Sequence, residues 1–242
     1  MNILVASATG ATGRWLVKQL LDRGHCVRAI VRSADKLPDA VRNHPHITLI
    51  HAPILDLDDD ELIRHTQSCD AVVSCLGHNL SFKGMYGRPR RLVADAVRRL
   101  CDAIRANHPP KPVKFVLMNT AGYKNPELET IPVGETWVVG LIRLLLPPHG
   151  DNETAADYLR TKVGQDDDKI EWVVVRPDSL IDENTVSEYK VYESPIRSAI
   201  FNAGATSRIN VGHFMADLIT RDELWSRWQG CMPVIYNQES GE

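Results

Sequence analysis

The sequence lacks most of the devices that announce a particular chemistry. Its five cysteines contain no Cys-x-x-Cys pair, their number is odd, and no basic region followed by an apolar run precedes the first strand. These features predict reduced, mostly buried thiols in a cytoplasmic protein. His44, His46, His51 and His65 fall at no metal-ligand spacing, so no metal is expected. Ser7, Ser74 and Ser179 sit in no G-x-S-x-G elbow, which argues against a serine hydrolase. Neither sign of charge dominates: 28 basic residues face 31 acidic ones, a net charge of −3 that offers no basic field to nucleic acid or an anionic membrane. The one local basic run, "GRPRRL" at 87–92, reads as a solvated helix start. There is no long hydrophobic run either. "WVVGLIRLLL" at 137–146 contains Arg143, stops at Pro147 and is far too short to span a bilayer.

What is present is an alternation of strand and helix patterns. "NILVA", "CVRAIV", "ITLIH", "AVVSCL", "VKFVLM" and "WVVVRP" are short, apolar and β-branched, without clean polar alternation. Strands covered on both faces read this way. The strongest helical pattern is 90–106, with Leu92, Val93, Ala96, Val97, Leu100 and Ile104 at helical spacing behind Pro89. Parallel strands need such crossover helices. The pattern predicts an α/β fold with a doubly wound parallel sheet and helices on both faces. Residues 1–242 are expected to form a single domain, with a core at 1–177. Beyond Pro177 the alternation breaks down. "EYKVYESP", "TSRINVGHFMADLI" and "MPVIYN" predict short strands and one helix, a C-terminal extension (178–242) packed across the carboxyl ends of the strands on the substrate side.

After the first strand come Ser7, Ala8, Thr9, Gly10, Ala11, Thr12 and Gly13, and then a helix that stops at Gly24. Gly10 lets backbone approach a pyrophosphate, Gly13 lets the helix pack on the strand, and the helix N-terminus supplies amides and partial positive charge. Strand, glycine loop and helix in that order make a dinucleotide phosphate site. The usual first glycine is replaced by Ser7. If the turn needs no positive φ the substitution costs little, and the hydroxyl is then free to bond a phosphate or a turn amide. At the end of the second strand, "AIVRSADKL" has no acid to hold a ribose 2′-hydroxyl. Arg32 stands there instead, with Lys36 one turn on, which favours the 2′-phosphate of NADP over NAD.

The set "ATGATG", "AIVRSADKL", "AVVSCLG", "FVLMNTAG", "WVVVRPDSL" and "INVGHFMADLI", taken in order over residues 2–219, resembles the atypical short-chain dehydrogenase/reductases. The similarity is to their NAD(P)-binding group related to biliverdin reductase B, a flavin reductase, and to NmrA-like regulators. It implies a Rossmann-like fold. It also implies that Leu76, Gly77 and His78 line the adenosine and nicotinamide-ribose side, and that Asn119 and Thr120 stand near the nicotinamide. Thr120 takes the place of a serine. Arg176 and Pro177 turn the chain toward the nicotinamide end. Where relatives carry a glycine and an aspartate after the third strand, this chain has Ala52 and Pro53, with Asp56 slightly later.

The Tyr-xxx-Lys pair of short-chain dehydrogenases has a formal match in "YLRTK", Tyr158 to Lys162. It lies late on its helix, and Tyr158 falls in a packing stripe with Ala155, Leu159 and Val163, so it reads as a packing tyrosine with an exposed lysine. Thr120 is then the group that orients a substrate, and Tyr123 or solvent is the proton donor. The segment 123–150 is long for a connection and reads as a pocket wall, a lid or a dimer contact. The expected function is an NADP-dependent oxidoreductase of a small carbonyl, flavin or quinone-like acceptor, monomeric or homodimeric. The alternative is a non-catalytic NADP-binding sensor of the NmrA-like type.

Overall fold

The six apolar runs each form a strand of a computed structural model, which describes residues 1–77, 89–126, 129, 147–199 and 201–238. They are β1 (Asn2–Ala6), β2 (Cys26–Val31), β3 (Ile47–His51), β4 (Ala71–Ser74), β5 (Val113–Met118) and β6 (Ile170–Pro177). All pair in parallel, in the order β3-β2-β1-β4-β5-β6. The order reverses between β1 and β4, and a crevice opens at the carboxyl ends of strands where this happens. β4 stops at Ser74, two residues short of the apolar run.

Side chains that alternate along each strand feed two cores. One face is covered by α1 (Gly13–Asp22) and α2 (Asp39–Arg42), through residues such as Leu16, Leu20 and Val41. The other is covered by α3 (Asp59–Thr66), α4 (Leu92–Ala106) and α5 (Pro147–Tyr158), through Leu62, Val97, Leu100 and Ala155. Helix α4 begins at Leu92. The buried carboxylate of Asp151 accepts the amides of Val93 at 2.8 Å and Ala94 at 3.0 Å, which satisfies two of its first-turn donors. A π-helical turn, Leu159–Val163, continues α5.

The tail does more than lie across the strand ends. It supplies β7 (Ser179–Ile181), β8 (Tyr189–Tyr192), β9 (Ala205–Ser207), α6 (Arg208–Thr220), α7 (Asp222–Trp228) and β10 (Val234–Asn237). Strands β7 and β9 form a small parallel ribbon leading away from the end of β6. Strand β10 pairs in parallel with β6 and antiparallel with β8, and so extends the main sheet to eight strands. It can do so because Val234, Ile235 and Tyr236 are apolar enough to be buried on both faces. Helix α6 lies on α1. A Cβ at Gly212 would sit 2.9 Å from the Leu16 amide nitrogen, so only glycine permits this approach. Asn210 anchors the tail through Ser187, Ser207 and Asn237, in a network whose polar atoms satisfy one another.

Candidate functional site

The loop from Ser7 to Gly13 leaves the carboxyl end of β1 and turns into α1. Ser7 has φ +64°, in the left-handed region. The turn therefore does need the conformation that the usual glycine supplies, and the condition for an inexpensive replacement is not met. A residue with a Cβ pays roughly 1–2 kcal/mol there. The Ser7 carbonyl is the pivot of the loop: it accepts the Gly10 amide at 3.0 Å. A Cβ at Gly10 would meet Ser7 Oγ at 3.0 Å and Ser7 O at 3.1 Å, and one at Gly13 would meet Ser7 O at 2.2 Å. Gly13 is thus required for the loop to close on itself, while a Cβ at Gly10 would only be tight.

The closed loop presents donors. The amides of Thr9, Ala11 and Thr12 reach no acceptor among the described residues. Thr12 stands at the N-cap position but its buried side chain makes no capping bond, and the first turn of α1 holds no acid. By contrast, α3 begins with a complete capping box on Asp58, and α6 with Ser207 accepting the Asn210 amide. The Arg14 and Trp15 amides are used within the turn, on Gly10 O at 3.1 Å and Thr12 O at 3.0 Å, so the loop amides, with the positive dipole end of α1 behind them, are what stay open to an anion. A dinucleotide pyrophosphate fits this cradle.

Arg32 follows β2 directly and is exposed, as is Lys36; neither has a partner among the described residues. The turn between them is set by Asp35, whose amide donates to Ser33 Oγ at 3.3 Å, and by the Leu37 amide on Ala34 O at 2.9 Å. Arg14, to which the sequence assigned no role, also lies beside the loop. It is exposed in the first turn of α1, stacked 5.7 Å from the Trp15 ring and paired with no carboxylate among the described residues. Its place just after the second loop glycine was the available signal.

Beyond β4, Leu76 is half-buried and Gly77 exposed, while His78 lies outside the described residues. Most of the 123–150 segment lies outside them too. Asn119 is buried at the end of β5, where its Nδ2 donates to Asn152 O at 2.8 Å and its Oδ1 accepts the Thr120 amide at 2.9 Å. Thr120 is half-exposed; its Oγ1 accepts the Gly122 amide at 3.2 Å, which leaves the hydroxyl proton free to donate. Pro177 is buried, and its carbonyl accepts the Ala121 amide at 2.9 Å.

Two expected site residues are placed elsewhere. Tyr123 is buried in the core under α5, and its hydroxyl donates to Asp157 at 2.9 Å. Burial, and then the Asp157 carboxylate, hold that phenol well above its ordinary range. A group so held is a poor proton donor, which corrects the role expected for it. Tyr123→Phe is expected to leave NADPH binding unchanged, by fluorescence titration. Stability should fall by only about 0.5–1.5 kcal/mol in thermal melts, because Asp157 keeps Arg160 as a partner at 3.0 Å. Arg176 is fully buried and bonds no ligand-facing group. It donates to Met232 O at 2.7 Å, Tyr123 O at 2.8 Å, Glu129 Oε1 at 2.7 Å and Glu193 O at 3.3 Å. The expected cofactor contact is corrected to a structural clamp.

Tyr158 turns its hydroxyl to Arg105 at 3.4 Å and Asp102 at 3.5 Å, on the last turns of α4, and Lys162 is exposed. Among the described residues no cluster of His, Cys, Asp and Glu is arranged to hold a metal, and no helix is long and apolar enough to cross a membrane.

Comparison with known proteins points to the same ligand. The profile of a family described as NAD(P)H-binding matches residues 7–222. A bifunctional dihydroflavonol 4-reductase/flavanone 4-reductase of Pyrus communis is 30% identical over 140 residues, 54% of this chain and 39% of that enzyme. The chain spans well under half the length of the curated relatives it matches. The oxidoreductase ylbE of Lactococcus lactis has the same fold, with a TM-score of 0.70 at 17% identity over 99% of this chain and 92% of its own. So does a short-chain dehydrogenase/reductase of Veillonella parvula solved in complex with NADP. Its TM-score is 0.71 at 14% identity, over 99% of this chain and 95% of its own.

Proposed function

The chain belongs to the NAD(P)H-binding family, and from that premise we propose that it is an NADP-dependent oxidoreductase. Its acceptor would be a small carbonyl, a flavin or a quinone-like molecule. The observation that carries the reading is the open cradle of loop amides at α1, with Arg32 and Lys36 beyond β2 lacking a partner among the described residues. The nicotinamide, when bound, supplies the hydride. The chain's own residues do the rest. Amides of Thr9, Ala11 and Thr12 bind the pyrophosphate. Arg32 grips the 2′-phosphate with its planar fork, and Lys36 adds a point charge. Asn119 fixes the end of β5 against α5, and Thr120 directs its free hydroxyl proton at an acceptor oxygen. Leu76 and Gly77 border the ribose side.

A second reading, a dinucleotide sensor without turnover, is favoured by one observation: neither Tyr123 nor Tyr158 offers its hydroxyl to the strand ends. A flavin-like acceptor needs little acid catalysis, so the same observation also suits hydride transfer to such a molecule. Steady NADPH oxidation with a panel of flavins, quinones and carbonyls would support the enzyme. Tight NADPH binding without turnover on any of them would support the sensor.

The first test is a fluorescence titration with NADPH and NADH. NADPH is expected to bind more tightly, and Arg32→Ala to weaken it by about 10- to 100-fold while leaving NADH nearly unchanged. An equal loss for both dinucleotides would refute the role given to Arg32.

A further inference from the structure

Among the described residues, two other non-glycine residues share the left-handed conformation of Ser7, Ser68 at φ +58° and His108 at φ +45°. Each follows the C-cap of a helix, Gln67 after α3 and Asn107 after α4, where chains habitually turn left-handed to stop a helix. Ser7 ends no helix. It stands at the entrance to the phosphate cradle, in a position where glycine would be free of strain. Nothing among the described residues compensates for the serine. Its Oγ makes no hydrogen bond among the described residues, and the residue is not sealed from solvent. Of the two uses open to that hydroxyl, a turn amide and a phosphate, the structure leaves the first unmade. The side chain instead lies over the loop, 3.0 Å from where a Gly10 Cβ would sit, and the bare Gly10 is what gives it room.

We infer that Ser7 is a dinucleotide ligand in its own right: its hydroxyl donates a hydrogen bond to the pyrophosphate, and the serine stands in place of the first loop glycine for that reason. The inference rests on the dinucleotide reading of this site. A hydroxyl donating to an ionised oxygen is a charge-assisted bond, stronger than one to a neutral acceptor. It adds a side-chain donor to the cradle of backbone amides. Backbone strain held at a ligand site and unexplained elsewhere is the pattern such a role leaves.

Ser7→Gly separates the hydroxyl from the backbone. Glycine fits φ +64° better than serine, so the variant is expected to melt no lower than the wild type. NADPH should nevertheless bind about 10-fold more weakly, by fluorescence titration. Adenosine 2′-phosphate, which carries the 2′-phosphate without a pyrophosphate, should compete for wild type and variant equally. Undiminished NADPH binding in Ser7→Gly would overturn the inference and leave the serine merely tolerated. An equal loss for adenosine 2′-phosphate would also overturn it, since the damage would then not be specific to the pyrophosphate. Failure of the wild-type protein to bind either dinucleotide would remove the reading of the site itself, a result distinct from both.

Discussion

Replacing Gly13 with alanine is expected to abolish dinucleotide binding and to destabilise the fold by about 3 kcal/mol. The new Cβ would lie 2.2 Å from the Ser7 carbonyl oxygen, and the obstacle is main chain, which cannot rotate away as a side chain can. Either β1 and α1 separate or the loop opens. Separation strains the packing of Leu16 and Leu20 on the sheet, where both are fully buried. Opening breaks the Gly10 amide bond to Ser7 and scatters the amides of Thr9, Ala11 and Thr12. Misplacement of binding groups by about 1 Å can already cost about 100-fold. For a chain of this size the melting temperature should fall by roughly 6–12 °C. Gly10→Ala provides the scale. Its contacts of 3.0 Å and 3.1 Å are tight but one is the movable Ser7 hydroxyl, so a smaller loss is expected. Thermal melts and NADPH titrations of both variants check the ranking; equal behaviour of the two would refute this account of the loop.

Arg176→Met should be the most damaging change away from the loop. Methionine fills much of the space but leaves the Glu129 carboxylate buried with its charge uncompensated, along with the Met232, Tyr123 and Glu193 carbonyls it had joined. Breaking one side of a buried pair costs about 3–5 kcal/mol, and the melting temperature should fall by roughly 6–20 °C. Adding Glu129→Gln should recover part of the loss, because the two sites are coupled. Dissociation constants for NADPH, measured well below the melting transition, should match the wild type. A selective loss of binding without loss of stability would instead return Arg176 to the cofactor.

The contrast between these two sites shows what could be read from sequence. The parallel sheet was legible because its strands are short apolar runs and its helices carry apolar stripes, both of which are local patterns. The placement of Gly10 and Gly13 in a closed turn, and of Arg32 and Lys36 exposed beyond β2, was legible for the same reason: loop and strand end lie within 30 residues of one another, and each position depends on neighbours in the chain. Arg176 was not. Its partners sit near residues 123, 129, 193 and 232, and no local pattern announces that they converge on one guanidinium. Tyr123 failed likewise, since three residues of spacing from Thr120 placed it near the site, while the turn at Gly122 sends it down to Asp157. The φ of Ser7 lies between these cases. The missing glycine was visible, but whether the turn had relaxed or kept its left-handed form depends on how tightly α1 packs back on Ser7.

Helix α1 also has a temporal history written into its packing. Its outer neighbour α6 approaches through Gly212 and is tied to it where Arg23 donates to Thr220, 197 residues further along. At a synthesis rate of about 5–20 residues per second, those residues take roughly 10–40 s to emerge. Throughout that interval the ribosome-bound chain carries a half-covered α1; β6 emerges only near its end, and its edge then waits for β10. Helix α1 is thus enclosed only when α6, made long after it, docks on it.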